Sequence, residues 1–264
     1  ENNFLEKVRA LATSKNIVLV FDECSSGFRE TFGGIYQKFN VEPDMIMLGK
    51  TIGNEYALTA VVGKKSVMEA AQNTFISSTF WTERIGPTAA LATLKVMERV
   101  ESWKTITAIG SKMQNGWKKL AETHNLDITV SGISAMTTYG FNCDNAAAYK
   151  TLITQEMLKK GYLASTSFYA STEHTDEILN KYFEDLNEVF SLIQECENGK
   201  DVYLKIFVLM FYSFLGGLIT SLIVLYLIFI VSDGSLSIYT SNDFFGFLGL
   251  YKNFFLVFFL VFFL

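Results

Sequence analysis

The chain has 264 residues, which suits one or two domains, and a formal net charge of −5. This charge, without any basic patch interleaved with aromatic residues, argues against a nucleic-acid-binding role. The three cysteines are widely spaced, form no C-x-x-C pair, and are accompanied by only two histidines. These counts argue against a disulfide framework and against a metal site, and they favour a reducing compartment, the cytoplasm.

The first predicted elements are a short helix over residues 4–14 and two strands, over residues 17–21 and 45–48. Both strand segments are continuous apolar runs, which are typical of strands buried on both faces of a parallel sheet. Each run is followed directly by a short charged motif. The sequence therefore predicts an open α/β sheet with charged side chains at its carboxyl edge, where such sheets bind ligands.

The residues at these strand ends suit one cofactor chemistry. Asp22 and Glu23 follow the first strand, and Lys50 follows the second. A lysine amine whose pKa is lowered by burial can form a Schiff base, and a carboxylate can keep a pyridinium nitrogen protonated. Pyridoxal 5'-phosphate (PLP) requires this pairing. The spacing alone is also compatible with commoner roles, a solvated lysine and an aspartate that caps a turn.

A series of ordered motifs over residues 17–97 carries a family resemblance. They are Phe21-Asp22-Glu23, Ser26-Gly27-Phe28-Arg29, Gly33-Gly34, Pro43-Asp44, Leu48-Gly49-Lys50-Thr51-Ile52-Gly53 and Val62-Gly63. Further on, Gly161-Tyr162, Ser167-Phe168 and Glu173-His174-Thr175 precede an acidic amphipathic segment. Over about residues 1–195 the chain resembles the class III aminotransferases, and within that class the glutamate-1-semialdehyde 2,1-aminomutase branch.

The resemblance implies an α/β fold, that of a fold-type I PLP-dependent transferase, and it implies roles for the matching residues. Lys50 would form the Schiff base and move the α-proton of the substrate, while Asp22 would bind the pyridine nitrogen. Thr79 would bind the cofactor phosphate across the interface of a homodimer. Cys24 falls where the family has a small apolar residue packed on the ring, and Ser25 where many members carry glutamine near the ring hydroxyl. For Cys24, inert packing and a reactive thiol both stay open.

The implied reaction moves an amino group, either within one molecule or between a small amine and a keto acid or aldehyde. Cys24-Ser25 and Glu83-Arg84 depart from the family pattern, so the substrate stays open. Arg84 has two readings, a ligand for a substrate carboxylate or an ion-pair partner of Glu83. The phosphate loop and the ring-stacking aromatic of the family are not found in this sequence, so we expect a C-terminal fragment. The alternative hypothesis is a catalytically incomplete, membrane-associated remnant of such an enzyme.

The patterns divide the chain into three parts. Residues 1–99 are predicted to be a partial PLP-binding large domain, and residues 100–197 a small C-terminal α/β domain. In the small domain we expect strands over 128–130 and 133–141 with a turn at Ser131-Gly132, a helix over 146–160 closed by Gly161, a strand over 162–169, and a last helix capped by Thr175. An apolar stripe should turn that helix toward the core: Leu179, Tyr182, Phe183, Leu186, Val189, Phe190 and Ile193.

The third part, residues 198–264, is a hydrophobic, transmembrane-like tail. Residues 206–231 carry no charge and exceed the roughly 20 residues that span a bilayer, and residues 244–264 form a second, weaker segment. Lys200 and Lys205 precede the first segment, so the positive-inside tendency would leave residues 1–197 cytoplasmic. Two explanations stay open: a membrane anchor appended to a soluble enzyme, or translated AT-rich sequence beyond a frameshift or intron.

Overall fold

The computed structural model describes residues 3–76, 79–80 and 82–202, which fall within one compact unit. The fold is α/β, as predicted, with helices and two three-stranded sheets. They are α1 (Phe4–Ser14), β1 (Val20–Asp22), β2 (Met45–Leu48), β3 (Ala60–Gly63), α2 (Lys65–Met68), α3 (Ile85–Val100), α4 (Ser102–Thr123), β4 (Ile128–Ile133), β5 (Met136–Phe141), α5 (Ala146–Lys159), β6 (Ser167–Tyr169) and α6 (Asp176–Glu197). Short 3-10 helices cover Ile35–Phe39, Lys50–Ile52 and Glu69–Asn73.

The first sheet has the order β1-β2-β3, with β1 and β2 parallel and β3 antiparallel to β2. In this register Asp22 lies opposite Met47, so both charged motifs follow directly at one edge of the sheet. An apolar cluster packs the sheet against α3: Phe28, Ile46, Leu48, Ile52 and Ala90. The predicted parallel pairing of the first two strands is confirmed.

The prediction that these strands are buried on both faces is wrong for the described residues. Ile17, Val18 and Val20 are 57%, 49% and 42% exposed, and β1 begins only at Val20. The reason is that β1 is an edge strand of this sheet, where it can be covered less than a central strand. Just before it, the N–H of Leu19 donates to the carboxylate of Asp44 at 2.9 Å, a side-chain contact outside the strand ladder.

Helix α3 carries Pro87 in its first turn. The carboxylate of Glu83 accepts hydrogen bonds from the N–H groups of Ile85 and Gly86, the latter at 2.9 Å, and so satisfies donors that helix starts leave open. Within the described residues Glu83 forms no ion pair with Arg84. The helix ends at Val100, and Glu101, with φ of 48°, separates it from α4.

The second sheet is antiparallel, with the order β4-β5-β6. The hairpin turn lies at Ser134 and Ala135, since Ile133 pairs with Met136, and the predicted turn at Ser131-Gly132 is wrong. Distant contacts hold the observed turn, because the N–H of Ala135 donates to Glu30 at 3.2 Å. The last strand begins at Ser167, later than predicted.

Helices α4, α5 and α6 supply the core beside this sheet, and the predicted stripe of α6 is confirmed. Six of its residues are buried and Phe183 is half-buried. Thr175 caps α6, accepting from the N–H of Ile178 at 3.3 Å. Gly161, with φ of 89°, follows α5, and its N–H donates to the carbonyl of Leu158 at 3.0 Å.

Within the part of the chain that the structure describes, none of the helices combines the length and apolar character needed to cross a membrane. The candidate spans over residues 206–231 and 244–264 lie outside the described residues. They stay predictions, as does the division between domains at residues 99 and 100.

Close packing of α4 on the β4–β5 turn predicts a cost for any side chain at Gly110. A Cβ atom added there would lie 1.7 Å from the carbonyl oxygen of Ser134, a backbone atom that cannot move aside easily. We expect Gly110→Ala to lower the free energy of unfolding by about 1–3 kcal/mol, measured by urea denaturation. Helix propensity alone would instead raise the free energy of unfolding by about 1 kcal/mol. A decrease therefore identifies the steric clash as the cause.

Gly140→Ala is the matched control, because a Cβ at Gly140 would meet nothing within 4 Å. Its expected change in unfolding free energy is within about 0.5 kcal/mol. A Gly110→Ala variant as stable as the wild type would contradict the packing shown here.

Candidate active site

Four of the five predicted site residues meet at the carboxyl edge of the first sheet. Parallel pairing of β1 and β2 brings the segment after Asp22 beside the segment after Leu48. A Cβ atom added at Gly49 would lie 3.4 Å from Sγ of Cys24, which shows how closely the two segments approach. Asp22, Cys24, Ser25 and Lys50 are thus brought together by backbone geometry.

The carboxylate of Asp22 is exposed and held in its charged form. The N–H of Cys24 donates to Oδ1 of Asp22 at 3.0 Å. That hydrogen bond, a second one from the Cys24 thiol, and the positive charge of Lys50 lower the pKa of Asp22 below its ordinary value. An aspartate in this state is ionised at neutral pH, as a partner for a protonated ring nitrogen must be.

Cys24 keeps its proton. The hydrogen bond from its thiol to Asp22 raises the pKa of Cys24, and desolvation adds to the rise. Because the thiolate and not the thiol is the nucleophile, this favours the packing role of Cys24 over a reactive one.

Lys50 begins the short helix after β2, and its ammonium group Nζ donates a hydrogen bond to Oγ of Ser25. Its backbone φ is 46°, a left-handed conformation that is uncommon for residues other than glycine. The N–H groups of Gly53 and Asn54 both donate to its carbonyl, at 3.2 and 3.1 Å. The side chain is exposed, so the described residues do not supply the burial that the sequence-based argument invoked.

Asp22 and Glu23, at the end of β1, have different roles. Glu23 is only 3% exposed, and its carboxylate accepts from the N–H groups of Ile35 and Tyr36, the latter at 3.1 Å. It therefore ties the loop over residues 24–34 to the end of β1. This leaves Asp22 as the acidic side chain available to a ligand.

Asp44 holds the two strands together at their opposite end. Its carboxylate accepts from the N–H of Leu19 at 2.9 Å, from Nη1 of Arg9 at 2.8 Å and from Nζ of Lys64 at 3.1 Å. These three donors, led by Leu19, hold the pKa of Asp44 well below its usual range. Asp44, part of the Pro43-Asp44 motif, thus has a structural role, the anchoring of β1 beside β2.

Thr79 is exposed in the segment before α3. Among the described residues no hydrogen bond joins it to Asp22 or Lys50. Its phosphate-binding role therefore stays a prediction.

His174 and Arg29 are two further polar residues of the sequence motifs whose surroundings the structure gives. Nδ1 of His174 accepts from the N–H of Ser171 at 3.0 Å and its ring lies 4.9 Å from Phe168, while burial lowers the pKa of His174. This supports a structural role. Arg29 is a polar residue for which sequence reasoning found no task, and its Nε donates to the carbonyl of Ser25 at 3.3 Å. No local signal could have found it, because its surroundings come from distant helices.

The described residues fit part of what PLP requires. A carboxylate held in its charged form matches the ring nitrogen, and a lysine amine at the neighbouring strand end matches the carbonyl carbon. The hydroxyl of Ser25 holds that amine in place.

Comparisons with known proteins find one family and related enzymes over the same part of the chain. The family model described as aminotransferase class-III matches residues 1–181. The 3-aminobutyryl-CoA aminotransferase of Cloacimonas acidaminovorans is 32% identical over 198 residues, which cover 73% of this chain and 48% of that protein. The glutamate-1-semialdehyde 2,1-aminomutase of Clostridium botulinum is 29% identical over 203 residues, covering 69% of this chain and 47% of that protein.

Solved structures show the same fold. The PLP internal aldimine form of the FumI protein from Sphingopyxis superimposes with a TM-score of 0.70 at 22% identity, covering 76% of this chain and 49% of that one. An omega-transaminase from Sphaerobacter thermophilus gives a TM-score of 0.64 at 19% identity, covering 75% and 49%. The chain spans about half the length of the curated relatives it matches.

The anchoring role of Asp44 predicts a pH-dependent loss of stability. We expect Asp44→Asn to lower the free energy of unfolding at pH 7 by about 1–3 kcal/mol, because hydrogen bonds to a charged carboxylate are the stronger kind. The folded-state pKa of Asp44 is depressed, so its contribution is complete above the unfolded pKa of about 3.9 and is lost as the pH falls further. The free energies of unfolding of the wild type and of Asp44→Asn should therefore approach each other in acid. Urea titrations of both proteins from pH 7 to pH 2 measure this.

Asp176→Asn is a suitable control, since that carboxylate pairs only on the surface with Lys112 and is 70% exposed. Its effect should stay within about 1 kcal/mol. If the difference in free energy of unfolding between the wild type and Asp44→Asn stays the same in acid, the anchoring role is contradicted.

Proposed function

The chain belongs to the class-III aminotransferase family, and from this premise we propose that it supplies the C-terminal part of a PLP-dependent enzyme of fold type I that transfers amino groups. The observation that carries the proposal is the meeting of a charged carboxylate, Asp22, with a lysine amine, Lys50, at neighbouring strand ends. The amino group moves either within one molecule or between a small amine and a keto acid or aldehyde.

When bound, PLP supplies a carbonyl carbon that accepts amines and a protonated ring that withdraws electrons. Asp22 holds the proton on the ring nitrogen, because its own lowered pKa keeps the carboxylate charged. Lys50 would provide the amine that this carbonyl carbon accepts. Its Nζ would also take up the proton from the α carbon of the substrate and return it.

Ser25 and Cys24 are positioning residues in this proposal. The Ser25 hydroxyl accepts a hydrogen bond from Nζ of Lys50 and so fixes the amine at the strand end. Cys24 packs beside the ring as an uncharged thiol and donates to Asp22. Together they replace the small apolar residue and the glutamine that many relatives carry.

We further propose that the active unit is a homodimer in which Thr79 binds the cofactor phosphate in the partner subunit. The exposed position of Thr79 supports this arrangement. Binding across an interface would also cover the exposed side chains of Asp22 and Lys50.

The reaction is proposed at the level shared by a transaminase and an aminomutase, since relatives of both kinds match the chain. We place residues 1–197 in the cytoplasm, a proposal supported by the small number and wide spacing of the cysteines.

Covalent trapping tests the role of Lys50. Borohydride reduction of the native protein in the presence of PLP should leave a pyridoxyl group on Lys50, mapped by mass spectrometry of the digest. Lys50→Ala should lose this label and lower the rate of amino transfer by at least about 100-fold, because it removes both the attachment point and the acid-base group.

Lys65→Ala is the matched control, since this exposed lysine forms only a surface pair with Glu69. It should label at Lys50 as the wild type does. Equal labelling or retained activity in Lys50→Ala would disprove the assignment.

A further inference from the structure

A cavity of about 500 Å³ lies beside the proposed active site. Its walls come from the loop after β1, the turn after β2, helices α3 and α4, and the segment after β6. Among its lining residues are Arg29, Thr51, Val96, Met97, Ser102 and Ser171, while Asp22, Cys24 and Lys50 are not. The volume falls within the range of small-molecule sites.

A half-buried cation faces this cavity without an acidic partner. The guanidinium of Arg29 donates one hydrogen bond, from Nε to the carbonyl of Ser25, and lies 5.8 Å from the ring centre of Tyr169. No carboxylate forms an ion pair with Arg29 in the described part of the chain. Burial lowers the pKa of Arg29, which expresses the cost of holding an unpaired charge there.

Two buried hydroxyl groups in the same lining also lack partners. Oγ1 of Thr51 and Oγ of Ser102 are shielded from solvent, and neither forms a hydrogen bond among the described residues. Buried polar atoms are nearly always satisfied in folded proteins, by protein, water or ligand. Ser102 is also the first residue of α4, a 22-residue helix whose N-terminal end favours negative charge.

From the cation, the two hydroxyls and the cavity that joins them, we infer that this cavity is a binding site for a small organic monocarboxylate. The carboxylate pairs with Arg29, a hydroxyl or carbonyl group of the ligand bonds to Thr51 or Ser102, and its carbon chain packs on Val96 and Met97. One guanidinium balances one negative charge, which favours a carboxylate over a phosphate. Arg29 can hold a carboxylate bidentately.

This inference goes beyond the proposed function, because none of the residues assigned to the cofactor lines the cavity. Ser25 is the link between the two places, since its carbonyl accepts from Arg29 and its hydroxyl from Lys50. Because Asp22, Cys24, Ser25 and Lys50 do not line the cavity, its occupancy does not require attachment of PLP to Lys50.

The test is isothermal titration of the full chain with 3-hydroxybutyrate, which has one carboxylate, one hydroxyl and a short carbon chain. The wild type should bind it saturably, and Arg29→Gln should weaken binding by at least about 10-fold through the loss of a charge-assisted pair. Thr51→Val and Ser102→Ala should each weaken binding by about 2- to 10-fold. Arg99→Gln, which changes an exposed arginine of α3 outside the cavity lining, should bind as the wild type does.

Two control ligands and two further variants test the carboxylate and the site separately. The uncharged methyl ester and inorganic phosphate should both bind at least about 10-fold more weakly than 3-hydroxybutyrate. Lys50→Ala should keep wild-type affinity, which separates this site from the proposed function. If Arg29→Gln fails to fold by circular dichroism, Arg29→Lys replaces it and should weaken binding by about 3-fold or more, because a lysine cannot pair bidentately.

The inference is overturned if the wild type does not bind the probe, or if the Arg29 variant binds as well as the wild type. It is equally overturned if the methyl ester or phosphate binds as tightly as the carboxylate. Loss of binding in Lys50→Ala would place the carboxylate at the cofactor site instead, and would also overturn it.

Discussion

The parallel pairing of β1 with β2 is the constraint on which the candidate site depends. In this register the ladder ends with Asp22 opposite Met47, three residues before Lys50. A slip by one residue would move the two charged groups apart by about 3.3 Å and turn every side chain to the other face. Asp44 opposes such a slip, because one carboxylate bonds to the backbone before β1 and to side chains from α1 and the end of β3.

Three acidic residues within this small region behave differently because their surroundings differ. Asp22 is exposed and charged, Glu23 is buried against two backbone N–H groups, and Asp44 joins secondary structure elements. Asp22 and Glu23, neighbours in sequence, thus differ in role: Asp22 is exposed, whereas Glu23, like Asp44, holds the backbone in place. The division follows from the alternation of faces at the end of a strand and from the donors that each face meets.

Local signals predicted the elements whose causes are local. The Thr175 cap, the glycine after α5 and the apolar stripe of α6 act within a few residues, and each is found in the structure. The hairpin turn at Ser134 and Ala135 was missed because it is held by Glu30, 105 residues away. For the site, adjacent strand ends brought four of the five residues together. The cavity beside Arg29 was invisible in sequence because distant helices build it.

The backbone of Lys50 has a consequence for how this position is maintained. A left-handed φ of 46° costs a lysine roughly 1 kcal/mol that a glycine would not lose. Replacing Lys50 by glycine would relieve this cost, but it would also raise the conformational entropy of the unfolded chain, which offsets part of the gain. Under the proposed function, position 50 holds a small backbone strain together with the amine at the strand end.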